Sequence, residues 1–551
     1  MPIKSLSDNE RIKLESNCLR GRLAEVFDDT STGDIPADEQ QLIKFHGTYL
    51  QDDRDKRIAL KREGKDKAWS FMLRLRMPGG KVTPAQWLAM DKLSDTYGNG
   101  TMKLTTRQTI QLHGVLKGNM RATMQEIHSM AMDTLATCGD VTRNVTASGT
   151  PGDSPAHRAA HDLASLISAE LLPKTHAYHE IWLNEEQIYT GEKEEEPMYG
   201  KTYLPRKFKI ALCVPPQNDI DVFTNDLGFV AIVENGQTVG YDVVAGGGMG
   251  CAHNNPATFP RLADAIGFCT PEQVVAVSRA VVELQRNFGD RTDRKHARLK
   301  YTIADRGLDW FKTTLVQYLG YALPASRGFK LETSGDTFEG TSRSRTLYIE
   351  GGRIAERPGY PLRSALREIA KLHEGTFYLT ANQNLIIDGI TDHTAAAIDR
   401  IIDETKLNSR HTGMRLASIA CVALPTCPLA LAESERYLPE LLDRIDTSLH
   451  ELGLQNESII TRMTGCPNGC ARPYVAELGF VGRAPGKYNV WLGGSHAGER
   501  LGYVYRESVK SDDLPALVHD LLSAFRDERQ PGESFGDWSL RKRDALLPEA
   551  S

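Results

Sequence analysis

Residues 101–115, Thr101-Met102-Lys103-Leu104-Thr105-Thr106-Arg107-Gln108-Thr109-Ile110-Gln111-Leu112-His113-Gly114-Val115, return in altered form at 376–390, Thr376-Phe377-Tyr378-Leu379-Thr380-Ala381-Asn382-Gln383-Asn384-Leu385-Ile386-Ile387-Asp388-Gly389-Ile390. Upstream of each copy lies a strand-like run and a Gly-Gly-basic-apolar turn, Gly79-Gly80-Lys81-Val82 and Gly351-Gly352-Arg353-Ile354, then a helix opening near a proline. A second echo matches Asp226-Leu227-Gly228-Phe229-Val230 with Glu477-Leu478-Gly479-Phe480-Val481, each followed by a glycine-rich turn at 246–248 or 493–494. A repeat of this period is a duplicated domain. The chain of 551 residues is long enough for several domains. The expectation is an α+β fold of two related halves, with a cleft between them where a cofactor sits.

Local patterns fill in the first half. Phe71–Arg76 alternates apolar and basic residues and reads as a strand. Thr83-Pro84 opens a helix, with Thr83 as N-cap. Residues 101–104 and 109–113 read as two further strands. Met120, Met124, Ile127, Ala131 and Leu135 recur at helical spacing and read as core packing. Residues 1–66, rich in charge, read as a solvated arm lying on the body.

The halves differ chemically. Lys103, Arg107 and His113 stand where the second copy has Tyr378, Asn382 and Asp388. The second half carries Cys421, Cys427, Cys466 and Cys470, spaced Cys-x5-Cys and Cys-x3-Cys. Tetrahedral zinc sites usually use Cys-x2-Cys knuckles. The irregular spacing suits a cubane iron–sulfur cluster as well or better, and leaves zinc open. Pro428 and the pattern Leu438, Leu441, Ile445, Leu449, Leu452 predict a helix whose N-terminus favours an anionic cluster. Pro467-Asn468-Gly469 allows a tight loop with N–H groups free to point at sulfur.

Lys207 and Lys209 flank Phe208 and face one side of an expected strand. Isolated, such a pair is a solvated face; buried, it needs an anion. Arg143 and Arg294-Lys295-His296-Ala297-Arg298 add cation density. Gly246-Gly247-Gly248-Met249-Gly250 does not fit a dinucleotide fingerprint, so electrons from a nicotinamide must arrive through another subunit. The net charge of -6 argues against a general nucleic-acid binder. No apolar run approaches the ~18 residues that span a bilayer, and the start has no apolar leader segment. Scattered, odd-numbered cysteines do not form a disulfide framework. The expectation is a cytoplasmic protein with no membrane and no nucleic-acid partner.

Taken together, Phe45-His46-Gly47 with Gln51-Asp52-Asp53-Arg54-Asp55, Leu104–Thr109, Thr142-Arg143-Asn144-Val145, Leu204–Lys209, Thr292-Asp293-Arg294-Lys295 and both cysteine pairs carry a resemblance over nearly the whole chain. It resembles the siroheme nitrite and sulfite reductases, on the assimilatory, sulfite-reducing side. The resemblance implies a duplicated, pseudo-twofold fold with ferredoxin-like half-domains. The expected division is an arm at 1–66, half-domains at 67–132 and 341–406, a siroheme- and substrate-binding domain at 133–325, and an iron–sulfur and siroheme-binding domain at 407–551. It implies that Cys421, Cys427, Cys466 and Cys470 hold a [4Fe–4S] cluster, with Cys470 also the axial ligand of the siroheme iron. Arg74, Arg143, Lys207 and Lys209 are then the residues that bind sulfite and supply protons. Lys103, Arg107 and Arg298 pair with siroheme carboxylates, Gln111 and His113 line the pocket, and Asn468 lies with the cofactors. The implied reaction is the six-electron reduction of sulfite to sulfide. Lys209 favours sulfite, since nitrite-reducing relatives tend to have asparagine there. The stretch Tyr189–Pro205, with its acidic run at 192–196, resembles NADPH-linked enzymes fed by a flavoprotein (alpha) subunit. The segments at 470–474 and 246–250 resemble ferredoxin-dependent ones. The balance favours the flavoprotein.

Overall fold

The computed structural model describes residues 6–149, 154–184, 196–407 and 411–547. Of the stretch Tyr189–Pro205, residues 189–195, and with them all of the acidic run but Glu196, lie outside the described residues.

Two pairs of successive glycines decide how the halves join. Gly79 and Gly80 have φ of 62° and 76°, and Gly351 and Gly352 have 57° and 69°. Two left-handed residues in a row are open to glycine and costly to other residues. Each turn throws a two-residue strand away from its own half. Strands are numbered along the chain. The first sheet runs β1 (Thr48–Asp52), β2 (Trp69–Arg74), β5 (Ile110–Val115), β4 (Met102–Leu104), β12 (Arg353–Ile354). The matching sheet runs β11 (Ser344–Leu347), β14 (Leu385–Asp388), β13 (Thr376–Leu379), β3 (Lys81–Val82). The half-domains therefore exchange strands: Arg353 pairs with Lys103, and Lys81 with Tyr378. A Cβ on Gly80 would strike the Leu379 carbonyl and Gln108; one on Gly352 would strike the Leu104 carbonyl and Gln383. These contacts repeat the sequence duplication residue for residue.

The remaining two sheets are also copies. One runs β10 (Asp264–Cys269), β9 (Gln237–Ala245), β8 (Leu227–Glu234), β7 (Ile210–Cys213), β6 (Thr146–Ala147). The other runs β15 (Ser418–Ala420), β16 (Thr461–Thr464), β17 (Leu478–Ala484), β18 (Lys487–Leu492), β19 (Tyr503–Lys510). In both, the first three strands in chain order are parallel and the last two antiparallel. A helix follows each, Val274–Phe288 and Leu514–Glu528. Even the carboxylate before the third strand repeats: Asp226 accepts the Lys209 N–H and Glu477 the Ile460 N–H, both at 2.9 Å.

Three expectations need correction. The arm is not solvated. Ile12, Leu19, Leu23, Val26, Phe27, Ile35, Leu42 and Ile43 are buried in the main core, and β1 is an edge strand of the first sheet. Lys13 is buried and donates to the Leu204 carbonyl at 2.8 Å. Short helices among dense charges hid this apolar set. The methionine helix ends at Ser129, since Ala131 turns left-handed, so Leu135 joins the core from a loop. Lys207 and Lys209 lie before strand β7, which starts at Ile210; only Phe208 makes a bridge, to Thr142. Thr83 does cap the helix Pro84–Thr96 through a capping box. Among the described residues no helix is long and apolar enough to cross a membrane.

Glu435 clasps the exchanged strand, taking Arg353 at 2.6 Å and Lys103 at 2.8 Å. Burial pushes its carboxyl up, but Arg353 and then Lys103 outweigh that and bring it down to about 2. A folded-state value below the unfolded ~4.3 contributes about 3 kcal/mol above that pH, lost as pH falls toward 2. Glu435→Gln should lower stability at pH 7 and flatten its acid limb between about pH 4.5 and 2, as read by denaturant titration across pH. Gly352→Ala should cost about 1–3 kcal/mol beyond the ~1 kcal/mol of a left-handed alanine. Gly453→Ala, also left-handed but with open space, isolates the latter. Equal melting shifts for the two variants would count against the exchange as a tight joint.

Candidate active site

Strand register lays a polar row across one face of the first sheet. Arg74 on β2 is paired with Gln111 on β5, Gln111 with Lys103 on β4, and Lys103 with Arg353 on β12. Residues opposite each other in register share a face, so the four side chains line up. His113, two residues beyond Gln111, joins the same face with its Nδ1 at 3.2 Å from Gln51 Oε1. Burial, with Arg353 adding, pushes His113 down to about 3, so the ring is neutral. The row's last cation comes from the other repeat. The sequence comparison that aligns Lys81 with Arg353 held that clue, but nothing local said the strand crosses over.

At the other end of the row two arginines share a shelf. With its amide oxygen toward Arg74, Gln111 accepts from Arg74 Nε at 3.0 Å. Arg74 Nη1 reaches Cys138 Sγ at 3.3 Å and lies 3.5 Å from the Thr137 carbonyl. Arg143 donates to the same carbonyl at 3.1 Å and to that of Gly139 at 2.8 Å. Gln111 therefore orients a cation besides lining the pocket. Beyond the arginines stand Lys207 and Lys209, on either side of buried Phe208. Neither ammonium has a hydrogen bond or ion pair among the described residues. Burial lowers Lys207 to about 7, with Arg206 and Arg298 adding and Cys470 opposing. Burial, Arg107 and Lys207 lower Lys209 well below the ordinary lysine value, again with Cys470 opposing.

Two expected macrocycle-binding cations also have carboxylate partners within the protein. Lys103 is spent on Glu435 and the Gly351 carbonyl. Arg298 forms a two-pronged pair with Asp226, at 3.0 Å from Nε and 2.8 Å from Nη2. The partners are distant in sequence, so spacing could not reveal them. Arg107 is different. It binds Asn225 Oδ1 at 2.7 Å and the Ile210 carbonyl at 3.1 Å, but its Nε is buried without an acceptor. An orphaned donor of this kind fits an anionic group in the cleft.

Cys421 follows β15, and Cys466 and Cys470 follow β16, so two parallel neighbouring strands deliver the cysteine loops together. Burial pushes Cys421, Cys427 and Cys466 each up to about 12, and in each the next cause is Cys470. Cys470 is thus a charged neighbour common to the other three thiols and to both lysines. Four thiolates cannot persist there without metal charge to offset them, and the donor set fits an iron–sulfur cluster. The Gly465 N–H meets Cys421 Sγ at 3.3 Å, and Asn468 Nδ2 lies 3.6 Å from Cys466 Sγ. Asn468 is thus turned to the cluster side. The helix runs Leu438–Leu452, where the apolar pattern puts it, and the described donors to the sulfurs come from loops. The 246–250 run is held beside the cysteine loop: Lys300 donates to the carbonyls of Gly248 and Gly250, and the Cys251 N–H binds the Pro467 carbonyl at 3.0 Å. Sequence reasoning missed Arg353, Glu435, Lys300, Asp221 and Arg472, all of which act through remote partners.

The chain matches the family model described as nitrite and sulphite reductase 4Fe-4S domain over residues 163–323. It matches that described as nitrite/sulfite reductase ferredoxin-like half domain twice, over 62–130 and 340–405. The sulfite reductase [NADPH] hemoprotein beta-component of Myxococcus xanthus (strain DK1622) is 50% identical over 545 residues, 98% of this chain and 97% of that one. That of Bacillus subtilis (strain 168) is 50% identical over 548 residues, 98% and 96% of the two chains. The fold superposes on Mycobacterium tuberculosis NirA with a TM-score of 0.80 at 23% identity, over 98% of both chains. Duplicated sheets, a four-cysteine set and a group of cations, on a chain half identical to the Myxococcus and Bacillus hemoproteins over nearly its whole length, make it a member of the nitrite and sulphite reductase family.

Proposed function

We propose that this chain is the hemoprotein subunit of an NADPH-linked sulfite reductase, which reduces sulfite to sulfide by six electrons. The observation that carries the reading is the unpartnered pair Lys207 and Lys209 beside Cys470, where cation and thiolate face one cleft. Siroheme and a [4Fe–4S] cluster would supply the electrons and the iron that takes the anion. Cys421, Cys427, Cys466 and Cys470 would hold the cluster. Arg107, with its free Nε, and the face bearing Gln111 and His113 would hold the macrocycle.

The chain's own groups divide the remaining work. Arg74 and Arg143 carry permanent charge and are braced by the Thr137–Gly139 carbonyls, so they hold sulfite oxygens in place. Lys207, brought to about 7, holds at Nζ a proton that it can release near neutral pH as oxygen departs as water. Lys209 adds a second cation on the same side. Low dielectric in the cleft strengthens all four contacts. The names of the relatives support a flavoprotein partner and sulfite as substrate. The odd number and scatter of the nine cysteines suit action in the reducing cytoplasm.

The reading is tested by sulfite-dependent oxidation of a reduced viologen, and of NADPH when a flavoprotein subunit is added; no turnover by the cofactor-loaded protein would reject it. Lys209→Asn should lower the sulfite-to-nitrite ratio of kcat/KM by about tenfold; an unchanged ratio removes the role given to Lys209. The rate should fall as pH rises through about 7, as Lys207 loses its proton. In Lys207→Arg, where the charge stays but the proton cannot leave, kcat should be about 10²-fold lower with no such limb.

A further inference from the structure

Cys470 lies in an exposed loop, and something must fix its sulfur. Two residues on, Arg472 adopts a left-handed backbone, φ 58°, unusual for arginine, and its side chain is buried. Its Nε donates to Asp221 Oδ2. Its Nη1 reaches toward the Thr106 carbonyl at 3.4 Å, and its Nη2 donates to the Ala381 carbonyl and Asn382 Oδ1, both at 3.1 Å. Thr106 and Ala381 hold the same place in the two copies of the repeated stretch. Asp221 and Arg472 are also counterparts: each is left-handed, at 47° and 58°, and each precedes a one-turn helix, Val222–Thr224 or Pro473–Val475. One guanidinium thus meets both half-domains and its own counterpart. Thr106 adds a direct hold, its Oγ1 donating to the Cys470 carbonyl at 3.1 Å.

We infer that Arg472 is a positioning residue that sets the Cys470 sulfur between the cluster and the macrocycle. This rests on the reading that Cys470 serves both centres. Other fixed points of the loop Cys466–Cys470 are the Pro467 carbonyl, which takes Tyr474 Oη at 2.8 Å and the Cys251 N–H at 3.0 Å, and the Gly469 carbonyl, which accepts the Arg472 N–H at 3.0 Å. Arg472, together with the Thr106 hydroxyl, ties the turn carrying Arg107 to the turn carrying Cys470. A shift of the loop would separate the thiolate from one centre without touching Arg74, Arg143, Lys207 or Lys209.

The test uses the full-length, cofactor-loaded protein with Arg472→Lys, which keeps the charge but loses the fork, and Thr106→Val, a milder change at a half-buried site. Iron, acid-labile sulfide and siroheme absorbance are measured first, then the electron paramagnetic resonance signature of coupling between the centres, then viologen-driven kinetics. Arg472→Lys should keep both cofactors, show a decoupled spectrum, and lose about 10- to 100-fold in kcat. KM for sulfite should stay within about twofold, because the anion-binding cations are untouched. Thr106→Val should show the same change in smaller degree. Wild-type coupling and kcat in Arg472→Lys would overturn the inference. So would cofactor loss in Arg472→Lys with Thr106→Val identical to wild type, since the role would then be structural alone. A wild-type protein without siroheme absorbance or sulfite turnover would instead reject the proposed function.

Discussion

Asp221 is a fully buried carboxylate held between two guanidinium groups, those of Arg462 and Arg472. Both arginines belong to the second repeat and the carboxylate to the first. In a low-dielectric interior, each charge is tolerable only because the others are there. A second carboxylate, that of Asp336, also interacts with Arg462 and Arg472. The field of Arg472 is felt by Arg107 across the junction, after burial the largest cause of its lowered value of about 9. The strand exchange brings the repeats into contact, and this ion cluster keeps the cysteine loop at the point where they meet.

The cleft separates cations by whether the protein satisfies them. Lys103 and Arg298 are neutralised by Glu435 and Asp226 and serve as framework. Arg74 and Arg143 are oriented by carbonyls, which direct a charge without cancelling it. Lys207 and Lys209 have no acidic partner among the described residues, and burial with neighbouring cations lowers both. Burial raises the thiols of Cys421, Cys427 and Cys466 to about 12, with Cys470 the next cause in each. Cys470 acts on both sets, opposing the shift in the lysines and adding to it in the thiols.

Much of this was legible in the chain because it is local. Spacing showed the cysteine set, and alignment of 101–115 with 376–390 exposed the duplication. The helix cap at Thr83 was written in four residues. Where the reading failed, the deciding partner was far away. Charge density in the arm looked like solvation because its apolar residues come singly, and only the finished core shows what they pack against. Lys103 looked free because Glu435 lies more than 300 residues on.

The amino-acid sequence by itself determined that there are two related α+β halves and that one holds four cysteines and the other the cations, while the chemistry came from the family resemblance. Periodicity, spacing and side-chain type carry the first two without reference to folding. The tertiary structure alone decided that the half-domains trade strands, that Arg353 completes the row begun by Arg74, and that Arg472 faces its own counterpart Asp221. Those are long-range pairings, and they follow from left-handed glycine turns and buried charge that acquire a partner only when the two repeats close on each other.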